Sequence, residues 1–306
     1  MSELFSLAVG DTEAIVTFAG VDVARYVFVD DAPAVESPKP YLHPIRTLSG
    51  APLTGYRPCD HRWHKGLQMT LTDVSGDNFW GGPTYVDGRG YVPLDNHGRV
   101  RHDRFTAVDE AGSQLALTEE LSWIARNGET WLTEERTLRF HTADTARGLW
   151  ALDFATALRN VRDADLTLGS PTTNGRPAAG YTGYFLRLPR SFTGGTVTAP
   201  SGAGTAMGTE ASWLAFAGQH DEVDGGGTVV AYAGRSSGAP AVKWFVRSEP
   251  IPVLAPSPTF DTEVVLAPGE ELELEHRHVF GDRIWEGAEL AALAAELAPA
   301  RAEARR

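Results

Sequence analysis

The sequence predicts an all-β fold, and three observations predict it. Apolar residues alternate with polar ones in run after run, helical periodicity is almost absent, and 32 glycines and 19 prolines punctuate the chain at short intervals. Successive side chains of a strand face opposite sides of a sheet, so alternation marks a half-buried strand. Frequent turn formers between such runs mark many short antiparallel strands packed as a sandwich or barrel.

The individual runs bear the pattern. In SQLALTEELSWIA, Leu115, Leu117, Leu121 and Trp123 take the odd positions, and in LWALDFATAL Trp150, Leu152, Phe154 and Leu158 take the even ones. In TWLTEERTLRFH, Trp131, Thr133, Glu135, Thr137 and Arg139 share a face opposite Leu132, Leu138 and Phe140. In ELELEHRHVF, Leu272, Leu274, His276, His278 and Phe280 alternate against Glu271, Glu273, Glu275 and Arg277. Histidines sharing a face with leucines read as buried, hydrogen-bonded structural groups. The APG at 267–269 separates this run from TEVVLAP, which predicts a hairpin. One helix is legible, over about residues 285–300, where Leu290, Leu293 and Leu297 share a face; ARAEARR after it reads as frayed. No repeat, linker or shift in composition divides the chain, so residues 1–306 read as one domain. Residues 33–66 and 170–183 are long, strand-poor connections, and sites favour long loops on a rigid β scaffold.

Bulk properties narrow the function. With 42% hydrophobic and 22% charged residues the chain can bury a substantial core. A net charge of -13 argues against a general nucleic-acid or anionic-membrane binder, which needs clustered Lys and Arg. Cys59 is the single cysteine, so no internal disulfide forms and a reducing compartment suits the chain. The start, MSELFSLAVGDTEA, lacks a basic segment followed by an apolar run, and no stretch approaches the roughly 20 apolar residues that span a bilayer. The expectation is a cytoplasmic protein with a small-molecule partner and neither nucleic acid nor membrane; the oligomeric state is not legible. GAGTAMG at 202–208 and GGGTVV at 225–230 do not open helices, which argues against nucleotide binding, and no G-x-S-x-G elbow occurs.

The chemistry concentrates in PYLHPIRTLSGAPLTGYRPCDHRWHKGLQ, residues 40–68, which holds three of the nine histidines (His43, His61, His64) among Arg46, Arg57, Asp60, Arg62 and Lys65. His61 and His64 are three apart, so a turn lets them converge. Two imidazoles with His43 or a carboxylate suit a Zn, Fe or Mn ion with open positions, but the spacing lacks a frame such as H-E-x-x-H. Neutral imidazole also donates and accepts near pH 7, which suits acid–base work or sugar hydrogen bonding. A third reading has these residues only pinning the loop. We expect His61 and His64 to be catalytic, with His43, Arg46, Arg57 and Asp60 binding substrate. No cofactor is assigned, a divalent metal on His61 and His64 being the alternative.

A second cluster, GDNFWGG with GRGYV, sets Phe79, Trp80, Tyr85 and Tyr91 beside glycines, Asn78, Asp77 and Asp87. Aromatic faces stack on the C–H side of a pyranose while amides and carboxylates take its hydroxyls, so Asn78 and Trp80 are expected to bind substrate. The competing reading is that Phe79 and Trp80 are plain core.

HPIRTLSGAPLTGYRPCDHRWHKGLQ, followed by GDNFWGG and NHGRVRH, resembles a family of uncharacterised bacterial proteins, a domain of unknown function (DUF6807-like) often labelled "PmoA family" or "methane oxygenase". The resemblance covers most of the chain and is most specific at DHRWHKG and NFWGG. The label implies a methane monooxygenase subunit, an integral membrane protein, and the absence of a spanning segment argues against it. NHGRVRHDRFTAVDEAGSQLALTEEL with TWLTEERTLRFH is similar, more distantly, to aldose-1-epimerase (galactose mutarotase-like) proteins. That resemblance implies a large antiparallel β supersandwich with, here, a short C-terminal helix, and a carbohydrate-active function. It also implies a cleft on the concave face reached by NHGRVRH, with His102 as an acid–base candidate and Glu135 as its mid-strand partner. A solvated hairpin tip and a surface ion pair are the bland alternatives. In TTNGRPAAGYTGYFLRLPR, Asn174 and Tyr184 are expected to close the cleft. The expected function is acid–base chemistry on a sugar or oxidised sugar, by an isomerase or lyase: epimerisation, mutarotation, β-elimination or hydration. The alternatives are a metal-dependent hydrolase, lyase or oxygenase, and a non-catalytic sugar-binding accessory protein.

Overall fold

The alternating runs become two antiparallel sheets that bury their facing apolar sides against each other. The computed structural model describes residues 4–204, 206–221, 223–234 and 236–299. The first sheet runs Phe5–Val9, Glu13–Phe18, Val21–Val27, Tyr41–Ile45, Leu67–Thr70, Gly183–Arg187, Val253–Ser257, Lys243–Arg247. The second runs Gly202–Ala203, Thr196–Ala199, Trp213–Gln219, Gly226–Tyr232, Glu271–Gly281, Leu149–Asn160, Thr130–Asp144, Gln114–Ile124, Arg99–Ala111. Between them lies one apolar cluster that includes Phe18, Tyr26, Met69, Leu117, Trp123, Phe140, Trp150, Phe154, Tyr184, Trp244 and Phe280. Each such large side chain stabilises the fold by roughly 1.5–3 kcal/mol through removal from water. The all-β sandwich expected from alternation is what the chain forms.

The helix spans Gly287–Glu296 and packs Leu290, Leu293 and Leu297 on the outer face of the second sheet, against Leu149, Ala151, Val230 and Val279. Residues 300–306, read as frayed, lie outside the described residues.

Two expectations need correction. Val264–Leu266 pairs with Leu166–Gly169, and Glu271–Gly281 pairs with Leu149–Asn160 and Gly226–Tyr232, so the predicted hairpin does not form. Asn160 is the reason. Its side-chain amide donates to Leu266 O at 2.8 Å, and its backbone bonds Glu270 and Gly269 at 3.0 and 2.9 Å, so the chain passes there from a small sheet of Val264–Leu266, Leu166–Gly169 and Asp73–Val74 into the second large sheet. His276 and His278 are fully buried, as their pattern predicts, but only His276 finds a partner. Its Nδ1 accepts the Gly234 N–H at 3.1 Å, whereas neither ring nitrogen of His278 is hydrogen-bonded.

The interior also holds charge. Arg136 is fully buried and grips Glu134 with Nε and Nη2 at 2.8 and 2.9 Å, while Nη1 donates to the Tyr26 hydroxyl at 3.0 Å. Glu134 further accepts from Trp123 Nε1 at 2.8 Å and from Thr156. Glu119 accepts from Tyr26 and faces His102 Nδ1 at 2.6 Å. Buried charges persist when their hydrogen bonds are this fully met.

For function the other face of the first sheet matters. On its last three strands Tyr184, Leu186, Trp244, Val246 and Leu254 point into the sandwich, and Phe185, Phe245, Val253 and Ala255 point outward. That outward apolar strip is the base on which the long loops settle.

Candidate functional site

Two sequence motifs interlock over this strip. Successive turns compact DHRWH: Arg57 N–H donates to His64 O at 2.8 Å, His61 N–H to Pro58 O at 2.9 Å, and His64 N–H to His61 O at 3.0 Å. Turn geometry therefore does what the i, i+3 spacing allows, and the two imidazole centroids stand 4.8 Å apart. In NFWGG, Asn78 Oδ1 accepts from Trp80 N and Gly81 N, both at 2.8 Å, and its Nδ2 donates to Thr84 Oγ1 at 3.0 Å. Gly81 and Gly82 adopt φ of 109° and 67°, a region that suits glycine. They also make room for Trp63: a Cβ at Gly81 would lie 2.6 Å from Trp63 Cβ, and one at Gly82 2.5 Å from its indole. Gln68 and Thr70, outward residues of one strand, pin both motifs. Gln68 donates to Trp63 O at 3.2 Å and Thr70 to Phe79 O at 2.9 Å.

The result is a cleft of about 340 Å³, within the range of small-ligand sites. Its aromatic lining is Trp63, Trp80, Tyr91, Tyr181, Phe185 and Phe245, and its polar lining is Asp60, His61, His64, Arg176 and Arg247. Tyr91 comes from the hairpin Thr84–Val86/Gly90–Val92, Arg176 and Tyr181 from the second long loop, and Phe245 and Arg247 from the edge strand. The Tyr91 and Tyr181 hydroxyls meet at 2.6 Å, and Arg176 donates to Tyr91 while its guanidinium lies 4.9 Å from that ring.

The two histidines differ in environment. The His61 side chain is 36% exposed, and its Nδ1 meets Asp60 Oδ2 at 2.9 Å, a bond that holds the Asp60 carboxyl below its ordinary range. His64 is buried on the cleft floor, 4.6 Å from the Phe185 ring, with Nδ1 unpartnered. Burial, followed by the charges of His61, Arg187 and Lys39, keeps its imidazole well below 6.5 and therefore neutral. Behind the loop, Lys65 bonds Asp30 at 2.6 Å and Glu36 at 3.3 Å. Lys39 donates to Glu36 O and Trp80 O; burial and then the Lys65 charge lower it to about 7.

The cleft gathers Asp60, His61, His64 and Trp80 from the residues expected in it. Asn78 builds the turn beneath, and Asn174, bonded to Asp73 at 2.7 Å, borders an adjoining small pocket. The others stand elsewhere. His43 bonds Thr54 at 2.9 Å and stacks on Tyr56, and burial with Arg46 and Arg25 lowers it to about 4. Arg46 donates to Gly50 O at 3.0 Å, and Arg57 grips Glu36 at 2.6 and 3.0 Å. Tyr184 points into the sandwich and bonds Leu274 O at 3.1 Å. His102 is held by Glu119 between the sheets, away from this cleft, and Glu135 lines a shallow depression on the outer face of the second sheet. NHGRVRH contributes only support, through His97 Nε2 on Gly82 O at 2.7 Å. Sequence reasoning had left Trp63, Phe245, Arg247 and Ile251 out of the cleft. KWFVR carried a signal, since alternation puts Phe245 and Arg247 on one face and Trp244 and Val246 on the other.

Among the described residues no three His, Cys, Asp or Glu side chains are grouped to hold a metal ion, and no helix is long and apolar enough to cross a membrane. No curated protein matches the sequence. Among solved structures the chain is similar to a GH36 alpha-galactosidase, AgaB from Geobacillus stearothermophilus (TM-score 0.44, 12% identity, 91% of this chain and 41% of that one). It is similar also to the alpha-galactosidase from Lactobacillus brevis (TM-score 0.41, 10% identity, 92% of this chain and 40% of that one). A third likeness is to HI1317 (TM-score 0.30, 11% identity, 91% of this chain and 99% of that one). The chain spans about two fifths of the galactosidases it resembles, and at these scores the likenesses carry nothing about activity. The PmoA label finds no support, because the family that matches carries no such description. Residues 13–295 match the family of unknown function DUF6807, and the chain belongs to that family.

Proposed function

We propose that the cleft binds a sugar or sugar derivative and that His61 and His64 move protons on it, as in an isomerase or lyase. The observation that carries this reading is the imidazole pair 4.8 Å apart in an aromatic cleft, one ring braced by Asp60 and the other buried and neutral. With Nδ1–H given to Asp60, His61 keeps Nε2 free to accept a proton from a hydroxyl or from a carbon beside a carbonyl. His64, neutral near pH 7, is placed to relay or return one. The aromatic faces of Trp63, Trp80 and Phe245 suit the C–H side of a pyranose. Epimerisation, mutarotation, β-elimination and hydration all need such a pair.

The test is proton exchange in D2O, followed by NMR, with a panel of aldoses, ketoses and uronates. Exchange or product formation that His61→Ala and His64→Ala abolish, with sugar binding retained, supports the reading. Binding without exchange by the wild type makes the protein a passive sugar binder, and no binding across the panel overturns the reading altogether. Metal content of untagged protein separates the metal alternative, which requires near one equivalent per chain and its loss in the same two variants.

A further inference from the structure

The strongest unabsorbed feature of the cleft is its charge. Arg176 and Arg247 both line it, from a loop and from a strand far apart in sequence. Neither meets a carboxylate among the described residues. Arg176 is turned onto the Tyr91 ring and hydroxyl, and Arg247 lies 5.2 Å from the Phe245 ring centroid. Both guanidinium charges reach the Tyr181 hydroxyl, where they oppose the upward pull of burial and of Tyr91 on its ionisation. A further cation, Arg187, stands behind the floor beside Lys39, whose charge is only partial near pH 7. Arg187 is buried with Nη1 unpartnered, and it and Lys39 both act on His64. On a chain of net charge -13, a cationic cleft is a local reversal of the whole protein's field.

We infer that the cleft selects a sugar bearing a carboxylate, a uronate or other sugar acid, with Arg176 and Arg247 as the residues that hold the acid group. This rests on the sugar-cleft reading and narrows it. Guanidinium presents a planar fork that matches a carboxylate, and stacking on Tyr91 and Phe245 orients each fork before the ligand arrives. The lining charges favour a monoanion: two guanidinium groups against Asp60 leave one positive charge. A phosphate monoester brings about 1.5 to 2 negative charges near pH 7 and overcompensates.

The experiment is calorimetric titration at low salt with glucuronate, galacturonate and mannuronate, with their parents glucose, galactose and mannose, and with glucose 6-phosphate. At least one uronate is expected to bind tenfold or more tightly than its parent. Arg247→Gln and Arg176→Gln should each erase most of that preference, read as the ratio of uronate to parent affinity within the same variant. Should R247Q fail to fold, R176Q gives the same readout, because Arg176 lies on a surface loop. Equal affinity for uronate and parent overturns the inference while the sugar reading stands, and tighter binding of glucose 6-phosphate overturns the choice of carboxylate. No binding by any of the seven overturns this inference and the sugar reading together.

Discussion

His61 and His64 stand 4.8 Å apart across one turn, yet the first is open to water and the second is only 3% exposed. A second proton on His64 has nowhere to be solvated, and the pair is thereby divided into a ring that reaches water and one that stays neutral. Their difference comes from burial, not from residue type.

The same burial makes stability depend on pH. His64 lies well below 6.5, His43 and His276 at about 4 and His278 at about 3, each lowered first by burial. A lowered folded-state value means that the unfolded chain takes up protons as pH falls below 6.5 while the folded chain does not. Stability is therefore full above 6.5 and declines below it, at about 1.4 kcal/mol per pH unit for each such histidine. Melting temperature is expected to fall steadily from pH 6.5 to about 4. A flat profile across that window contradicts the assignment of four neutral rings.

The glycine pair of NFWGG predicts a coupled defect. Gly82→Ala places a methyl group in the Trp63 indole and forces an L residue to φ 67°. Strain of that kind costs on the order of 1–3 kcal/mol. Affinity for the best sugar of the panel should fall at least tenfold as Trp63 moves, with a shift in tryptophan emission. Gly76→Ala is the control, since Gly76 has φ 94° but nothing within 4 Å of its added Cβ. An equal loss of affinity in both variants would mean that strain alone, not displacement of Trp63, is responsible.

Neighbouring residues show how far the sequence could be read. Alternation alone places Tyr184 and Phe185, or Glu134 and Glu135, on opposite faces. It does not say which face of the first sheet carries the cleft, so Tyr184, expected to close it, turns into the sandwich while Phe185 faces outward. DHRWH and NFWGG were legible as site material because tight turns need their glycines and short polar residues locally. His43, Arg46 and Arg57 share that composition, but a loop's composition does not fix which side chains turn toward the cleft. Phe245 and Arg247 reach it only through strand order, a long-range property that no local motif encodes.

Glu134 and Glu135 turn that lesson into a measurement. Glu134→Ala leaves the fully buried Arg136 without its bidentate partner and is expected to cost about 3–5 kcal/mol. Glu135→Ala, on the outer face, should stay within about 0.5 kcal/mol. Urea unfolding of the two variants decides, and a large loss in E135A would assign that outer face a role the geometry does not give it.

His278 gives the clearest case of a side chain that the fold tolerates at a loss. Fully buried beside Phe280, with rings 11° from parallel, it has no hydrogen-bond partner at either nitrogen. An unmet buried polar group costs roughly 1–3 kcal/mol, and replacing it by an apolar group of similar size relieves that cost. His278→Leu is therefore expected to stabilise the protein by about 1 kcal/mol at pH 7.5. At pH 5 the gain should grow by about 2 kcal/mol, because the leucine chain no longer takes up a proton at this position on unfolding. Urea midpoints at the two pH values check both parts. Destabilisation at pH 7.5 would show that the ring makes a polar contact worth more than its burial costs, and a gain independent of pH would show that it is not held neutral by the core.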